Sequence, residues 1–195
     1  MTAWRSFTNR QGDLRRWLWA TGSLSARLAA CGNVFSVLVV RQGRQALTPD
    51  EASALGMGTR RIGYAREVLL RVDDQPMVFA RSVTAHAYAA GAWRSLQGLG
   101  SRPLADVLFR RAGIHRAPLA FAQAPRHSPL QRHVAKTWRM AAAGALTAGA
   151  LPARHSVFTR HGAKLLVMEV FAAPACVWHW PDHLPTRSAK PKRLP

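Results

Sequence analysis

Three charged side chains interrupt segments that otherwise read as interior strands. Arg66 opens REVLLRV, Arg81 lies within MVFARSV, and Glu169 interrupts AKLLVMEVFAA. Side chains alternate between the faces of an extended strand, so Arg66 shares a face with Val68, Leu70 and Val72. By the same rule Glu169 shares one with Leu165, Val167 and Phe171. A charge on such a face needs a partner, a ligand or an opening to water. Two guanidiniums can clamp a dicarboxylate through bidentate hydrogen bonds. A single carboxylate can take or donate a proton where burial sets its pKa suitably. The competing explanation is structural, with Arg66 and Glu169 paired across the core and nothing bound.

Other chemistry finds little support in the residues. There is no Walker A sequence, dinucleotide fingerprint, HExxH, EF-hand loop or CxxC pair. The eight histidines are scattered. His179 and His183 are four apart, but Pro181 between them opposes the helix that would join them. Cys31 and Cys176 are too few for a disulfide framework or a thiolate metal cage, and packing is their simplest role. Ser36, Ser82 and Ser156 lack a nucleophile-elbow pattern.

The 195 residues carry 28 Lys/Arg against 9 Asp/Glu, a formal charge of +19. Such a field attracts anions without separating nucleic acid from a small acidic metabolite. Between Asp106 and Glu169 there are ten Lys/Arg and no carboxylate, so Glu169 stands alone at the end of a basic region. Phe109 beside Arg110 and Arg111, and Trp138 within the basic Arg126–Arg139 interval, suit phosphate and base contacts. No nucleic-acid-binding module accompanies them, so no obligatory nucleic-acid partner is expected. No run approaches the roughly 18 apolar residues of a membrane span, and no apolar signal core follows the N-terminal arginines. The expectation is a cytoplasmic monomer without a transmembrane segment.

The elements that must position these charges follow from pattern. Asp13–Cys31 is helical, with a break between Ala20 and Ser23 at Gly22. Val34–Gly43 reads as a strand, and Ala46–Gly58 as a short helix with Asp50 and Glu51 near its start. REVLLRV and MVFARSV form a hairpin around DDQP, with Arg66 and Arg81 at comparable positions. Gly91–Gly100 and Pro103–Gly113 read as short helices or as one broken helical passage. His115–Arg139 has no firm period, being interrupted by Pro118, Pro125 and Pro129. HSVFTRHGAKLLVMEVFAA predicts a second hairpin turning around His161–Ala163. These elements predict one α+β domain on an antiparallel sheet over residues 1–183, with helices covering one side. LPTRSAKPKRLP reads as a basic, proline-containing flexible tail over 184–195.

Four segments, in this order, resemble bacterial chorismate pyruvate-lyase. They are GSLSARL (Gly22–Leu28), YAREVLLRVDDQPMVFARSVTA (Tyr64–Ala85), PLADVLF (Pro103–Phe109) and RHSVFTRHGAKLLVMEVFAAPA (Arg154–Ala175). Ala105 and Asp106 stand where that family has a glycine and a basic residue. The resemblance implies an antiparallel sheet with helical flaps over an internal ligand pocket. It also implies conversion of chorismate to 4-hydroxybenzoate and pyruvate in ubiquinone biosynthesis, without a metal or organic cofactor. Carried onto this chain, it makes Arg66 and Arg81 ligands of substrate oxyanions. Glu169 becomes the group that handles a proton or hydrogen-bonds the ring hydroxyl, and Leu24, with Ser23 and Ser25, a pocket-lining position. The alternative is a non-catalytic small-anion or effector-binding domain of the same fold.

Overall fold

A computed structural model describes residues 13–58, 62–109, 112–141, 146–147, 149–174 and 177–181. Cys176 and the expected tail 184–195 lie outside the described residues. The chain runs α1 (Asp13–Trp19), α2 (Leu24–Leu28), β1 (Phe35–Ala46), α3 (Pro49–Leu55), β2 (Ile62–Val72), β3 (Gln75–Ala85) and α4 (His86–Ala90). It continues through α5 (Ala105–Leu108), β4 (Ile114–Arg116), β5 (Ala120–Ala124), α6 (Pro129–Met140), β6 (Leu151–Arg160) and β7 (Ala163–Phe171). The seven strands form one sheet in the order β1-β2-β3-β7-β6-β4, with β5 also paired to β6. Every pairing is antiparallel.

Local chemistry sets the helix limits. Gly22 has a positive φ of 80° and separates α1 from α2, whose N-cap is the Ser23 hydroxyl accepting from the Ala26 amide. Thr48 and Glu51 form a reciprocal capping box at the start of α3. Ser128 caps α6, and Pro129 occupies its first turn, where a missing amide hydrogen costs nothing. Pro129 thus starts a helix instead of interrupting one.

Helices cover both faces of the sheet, not the single side expected. Leu24 and Leu28 of α2 join Trp17 and Leu18 in the principal core, and α6 adds Val134 and Trp138 from the other side. A second cluster gathers Tyr64, Trp93, Leu96, Leu108, Phe158 and Leu165 beneath the segment from α4 to α5. Cys31, expected in the core, is exposed.

The two predicted hairpins differ in one residue. Each turns through two positive-φ residues, Asp73 and Asp74 in the first and His161 and Gly162 in the second. The β6–β7 ladder then runs without a shift from Arg160 opposite Ala163 to Arg154 opposite Glu169. In β2–β3 the register slips between Leu70 and Arg71, because Met77 is an extra residue after Pro76. Pro76 has no amide hydrogen for the ladder, and the Met77 carbonyl instead accepts from the Ala172 and Ala173 amides. A regular ladder from this turn would set Arg66 opposite Arg81. The bulge sets Arg66 opposite Ser82 and Glu67 opposite Arg81, and side chains on the two sides of the sheet exchange places accordingly.

Candidate active site

A cavity of about 50 Å³ lies between the sheet and the α2 and α5 segments. Its floor carries Arg66, Val68 and Leu70 from β2, Ala80 and Ser82 from β3, Val167 and Glu169 from β7, and Ser156 and Phe158 from β6. Gly22, Leu24 and Ser25 close it from the α2 side, and Pro103–Ala105 with Leu108 and Phe109 close it from the α5 side. Arg116 and Leu119 complete the wall. Arg66, Glu169 and Leu24, three of the four expected site residues, therefore meet at one cavity.

Arg66 is 2% exposed. Its Nη2 donates to the Gly100 carbonyl at 2.7 Å and the Arg102 carbonyl at 3.3 Å, while its Nε is buried without a partner. Burial pulls its pKa below the usual arginine value, with Tyr64 opposing. Glu169 is held by Arg154, whose Nε donates to its carboxylate at 2.5 Å. Arg154 is fully buried. Its Nη1 donates to the carbonyls of Trp17, Leu18 and Ala20, at 2.8–3.0 Å, and its Nη2 has no partner. One guanidinium thus fastens the acid to the C-terminal end of α1, where unpaired helix carbonyls attract a cation.

Arg81 does not reach this cavity. It lies across the sheet in a cleft of about 570 Å³ lined by α3, α6 and the opposite faces of β2, β3 and β7. There its Nε donates to Glu51 at 2.7 Å and its Nη1 to Glu67 at 2.5 Å and to Gln45 at 2.9 Å. Its Nη2 donates to the Ala46 carbonyl at 3.0 Å. Burial lowers the Arg81 pKa, but Glu51 and Glu67 outweigh it and leave the cation held above its ordinary value. Burial likewise pushes Glu67 up. The hydrogen bonds and charges of His133 and Arg81 reverse that and hold the carboxyl below its usual range. The physical reason for the misplacement is the Met77 bulge.

Sequence reasoning missed Arg154 and Arg116. Arg154 could have been found by counting from the regular His161–Gly162 turn, which sets it opposite Glu169. Arg116 gives no such signal, because β4 is three residues long and lies in the interval without a period. Burial lowers the Arg116 pKa and the neighbouring charge of Arg154 adds to this, with Glu169 opposing. Among the described residues, no three His, Cys, Asp or Glu side chains gather as metal ligands. No helix there is long and apolar enough to cross a membrane.

Fold and cavity together define a class: an α+β domain with an internal cavity that sets one carboxylate among buried and half-buried arginines. The comparisons sharpen this. The sequence profile of the family described as Chorismate lyase matches residues 4–180. A probable chorismate pyruvate-lyase from Albidiferax ferrireducens is 59% identical over 92% of this chain and 91% of that protein. One from an Azoarcus strain is 46% identical over 81% and 82%. The chain belongs to the chorismate lyase family. Among solved structures, the effector domain of PhnF from Mycobacterium smegmatis shares the fold with a TM-score of 0.52 at 14% identity, covering 78% of this chain and 89% of that one. The PhnF C-terminal domain does so at 0.53 and 16%, covering 75% and 88%.

Proposed function

We infer that this chain is a chorismate pyruvate-lyase, a carbon–oxygen lyase that converts chorismate to 4-hydroxybenzoate and pyruvate. Family membership over nearly the whole chain supports the activity. The observation that carries the site assignment is the pairing of Arg66 and Glu169 at one desolvated cavity.

The reaction asks little of redox or metal chemistry. The ether bond to the enolpyruvyl group breaks with its electron pair leaving on oxygen, and the ring carbon that bears the hydroxyl gives up its proton. The released enolate takes a proton at its methylene carbon and becomes pyruvate. Aromatisation supplies the drive, so the protein's contribution is orientation and charge stabilisation. Arg66 holds a substrate carboxylate. Its Nη2 is already fixed by two carbonyls, and its unfilled Nε is a donor awaiting an oxyanion. Glu169 takes the ring proton or hydrogen-bonds the ring hydroxyl, and the fork of Arg154 keeps its carboxylate oriented. Leu24 and the apolar wall exclude water, which strengthens every charge interaction inside.

The cavity of about 50 Å³ has room for only a few waters at roughly 10–15 Å³ each. Entry of a dianion with a six-membered ring and an enolpyruvyl side chain therefore requires the α2 and α5 segments to part, and departure of the flat aromatic product requires the same. Incubation of purified protein with chorismate tests the reading. Equal formation of pyruvate and 4-hydroxybenzoate is expected. Tight binding of either compound without turnover would instead identify an effector-type domain.

A further inference from the structure

We propose that Arg116 is the second carboxylate-binding guanidinium of the cavity, taking the enolpyruvyl end of the substrate while Arg66 holds the ring carboxylate. This rests on the chorismate reading above. Chorismate carries two carboxylates, and with Arg81 across the sheet only two cationic side chains line the cavity among the described residues, Arg66 and Arg116. They enter from β2 and β4, four strand spacings apart, and β7 with Glu169 lies midway between them in the order β2-β3-β7-β6-β4. At about 4.8 Å per strand their backbones are separated by about 19 Å, a gap that two inward-reaching arginine side chains largely close. Across the strands the order is thus cation, acid, cation, with Glu169 displaced along β7 from Val167 at the level of Arg66 and from Leu165 at the level of Arg116. The two carboxylates of the substrate can therefore be held on either side of the acid.

Arg116 has the features of a waiting anion ligand. Its guanidinium lies 5.3 Å from the centroid of the Phe158 ring, which orients it without using its hydrogen-bond donors. Its Nε is buried with no partner. An unfilled donor of this kind is costly in the empty protein and becomes favourable when a carboxylate arrives. The assignment of ends follows from exposure. Arg66 is buried and pinned to two carbonyls, which suits the part retained in the aromatic product. Arg116 sits on the edge strand and is half-buried, which suits the part that is released.

The test compares a two-carboxylate ligand with a one-carboxylate ligand. Arg116→Gln should raise KM for chorismate about 10- to 100-fold, the loss expected for one charge-assisted partner. Inhibition by 4-hydroxybenzoate should stay within about twofold of the parent, because that ligand lacks the enolpyruvyl carboxylate. Arg116→Lys should recover part of the loss. An unchanged KM, or a 4-hydroxybenzoate inhibition constant that rises in step with KM, overturns the assignment. Should Arg116→Gln fail to fold, Arg116→Lys decides by the same split. A parental protein that makes no product from chorismate refutes the activity alone. Calorimetric binding of chorismate and 4-hydroxybenzoate to parent and variant then still decides the site, because only chorismate binding should weaken.

Discussion

Across the sheet, Arg81 spends its donors on Glu51, Glu67, Gln45 and the Ala46 carbonyl, while Arg66 and Arg116 on the cavity side each keep a buried Nε without a partner. Both arrangements bury charge, and they are only a strand's thickness apart. The larger space, about 570 Å³ against about 50 Å³, belongs to the face where Arg81 is already satisfied. Size therefore favours one face, and unsatisfied arginine donors favour the other. A buried pair with complete hydrogen bonding maintains a fold, whereas a buried cation with open donors is incomplete until an anion binds.

Substitutions should separate the two faces. Glu169→Gln retains the shape and can still accept from Arg154, but it leaves that buried cation without its carboxylate, so the protein should fold with a lowered Tm. Its kcat should fall by about 10²–10⁴ if Glu169 moves the proton. Parental turnover by that variant would remove the base role. Arg81→Met should do the reverse. Leaving Glu51 and Glu67 without their shared cation should cost about 3–5 kcal/mol in urea denaturation, with kcat per folded molecule unchanged. A specific loss of chorismate affinity in a stable Arg81→Met protein would return Arg81 to the site.

Arg66→Lys keeps the charge and loses the fork, and should lower kcat/KM about tenfold or more, with Arg66→Met lower still. Equal activity of the two would argue against a charge-based role. The smallest effect belongs to His155 in the opposite cleft. Burial holds its pKa below 6.5, with Asp50 opposing. A histidine kept neutral by the fold contributes stability that is complete above its ordinary value. That contribution is lost as pH falls from there through the lower folded value, because the unfolded chain binds the proton first. His155→Gln should flatten that part of the stability–pH curve, measured by urea denaturation at about pH 7.5 and about pH 5. The lyase rate should not respond.

The two hairpins show how far sequence carries. The His161–Gly162 turn leads into a regular ladder, so the side of Glu169 and its neighbours could be counted correctly from the turn. The Asp73–Asp74 turn was equally visible, and the strands on either side of it were placed correctly. A single extra residue at Met77 nevertheless reversed the side of Arg81, and alternation alone carries no sign of it beyond Pro76. The Gly22 break and the Ser23 cap were legible because each acts within one turn of chain. Arg116 was not legible, because its place depends on pairing between β4 and β6, segments more than forty residues apart in the chain. Helix α6 was hidden by reading Pro129 as a breaker when its position after Ser128 made it an initiator.

Arg154 belongs at once to the end of α1 and to the acid, since the guanidinium that steadies Glu169 also grips the carbonyls of Trp17, Leu18 and Ala20. A displacement of α1 from the sheet would strip that cation of most of its ligands and loosen its grip on the carboxylate. The end of α1 and the acid are thereby geared together through one side chain, so that a shift of the helix is felt at the carboxylate.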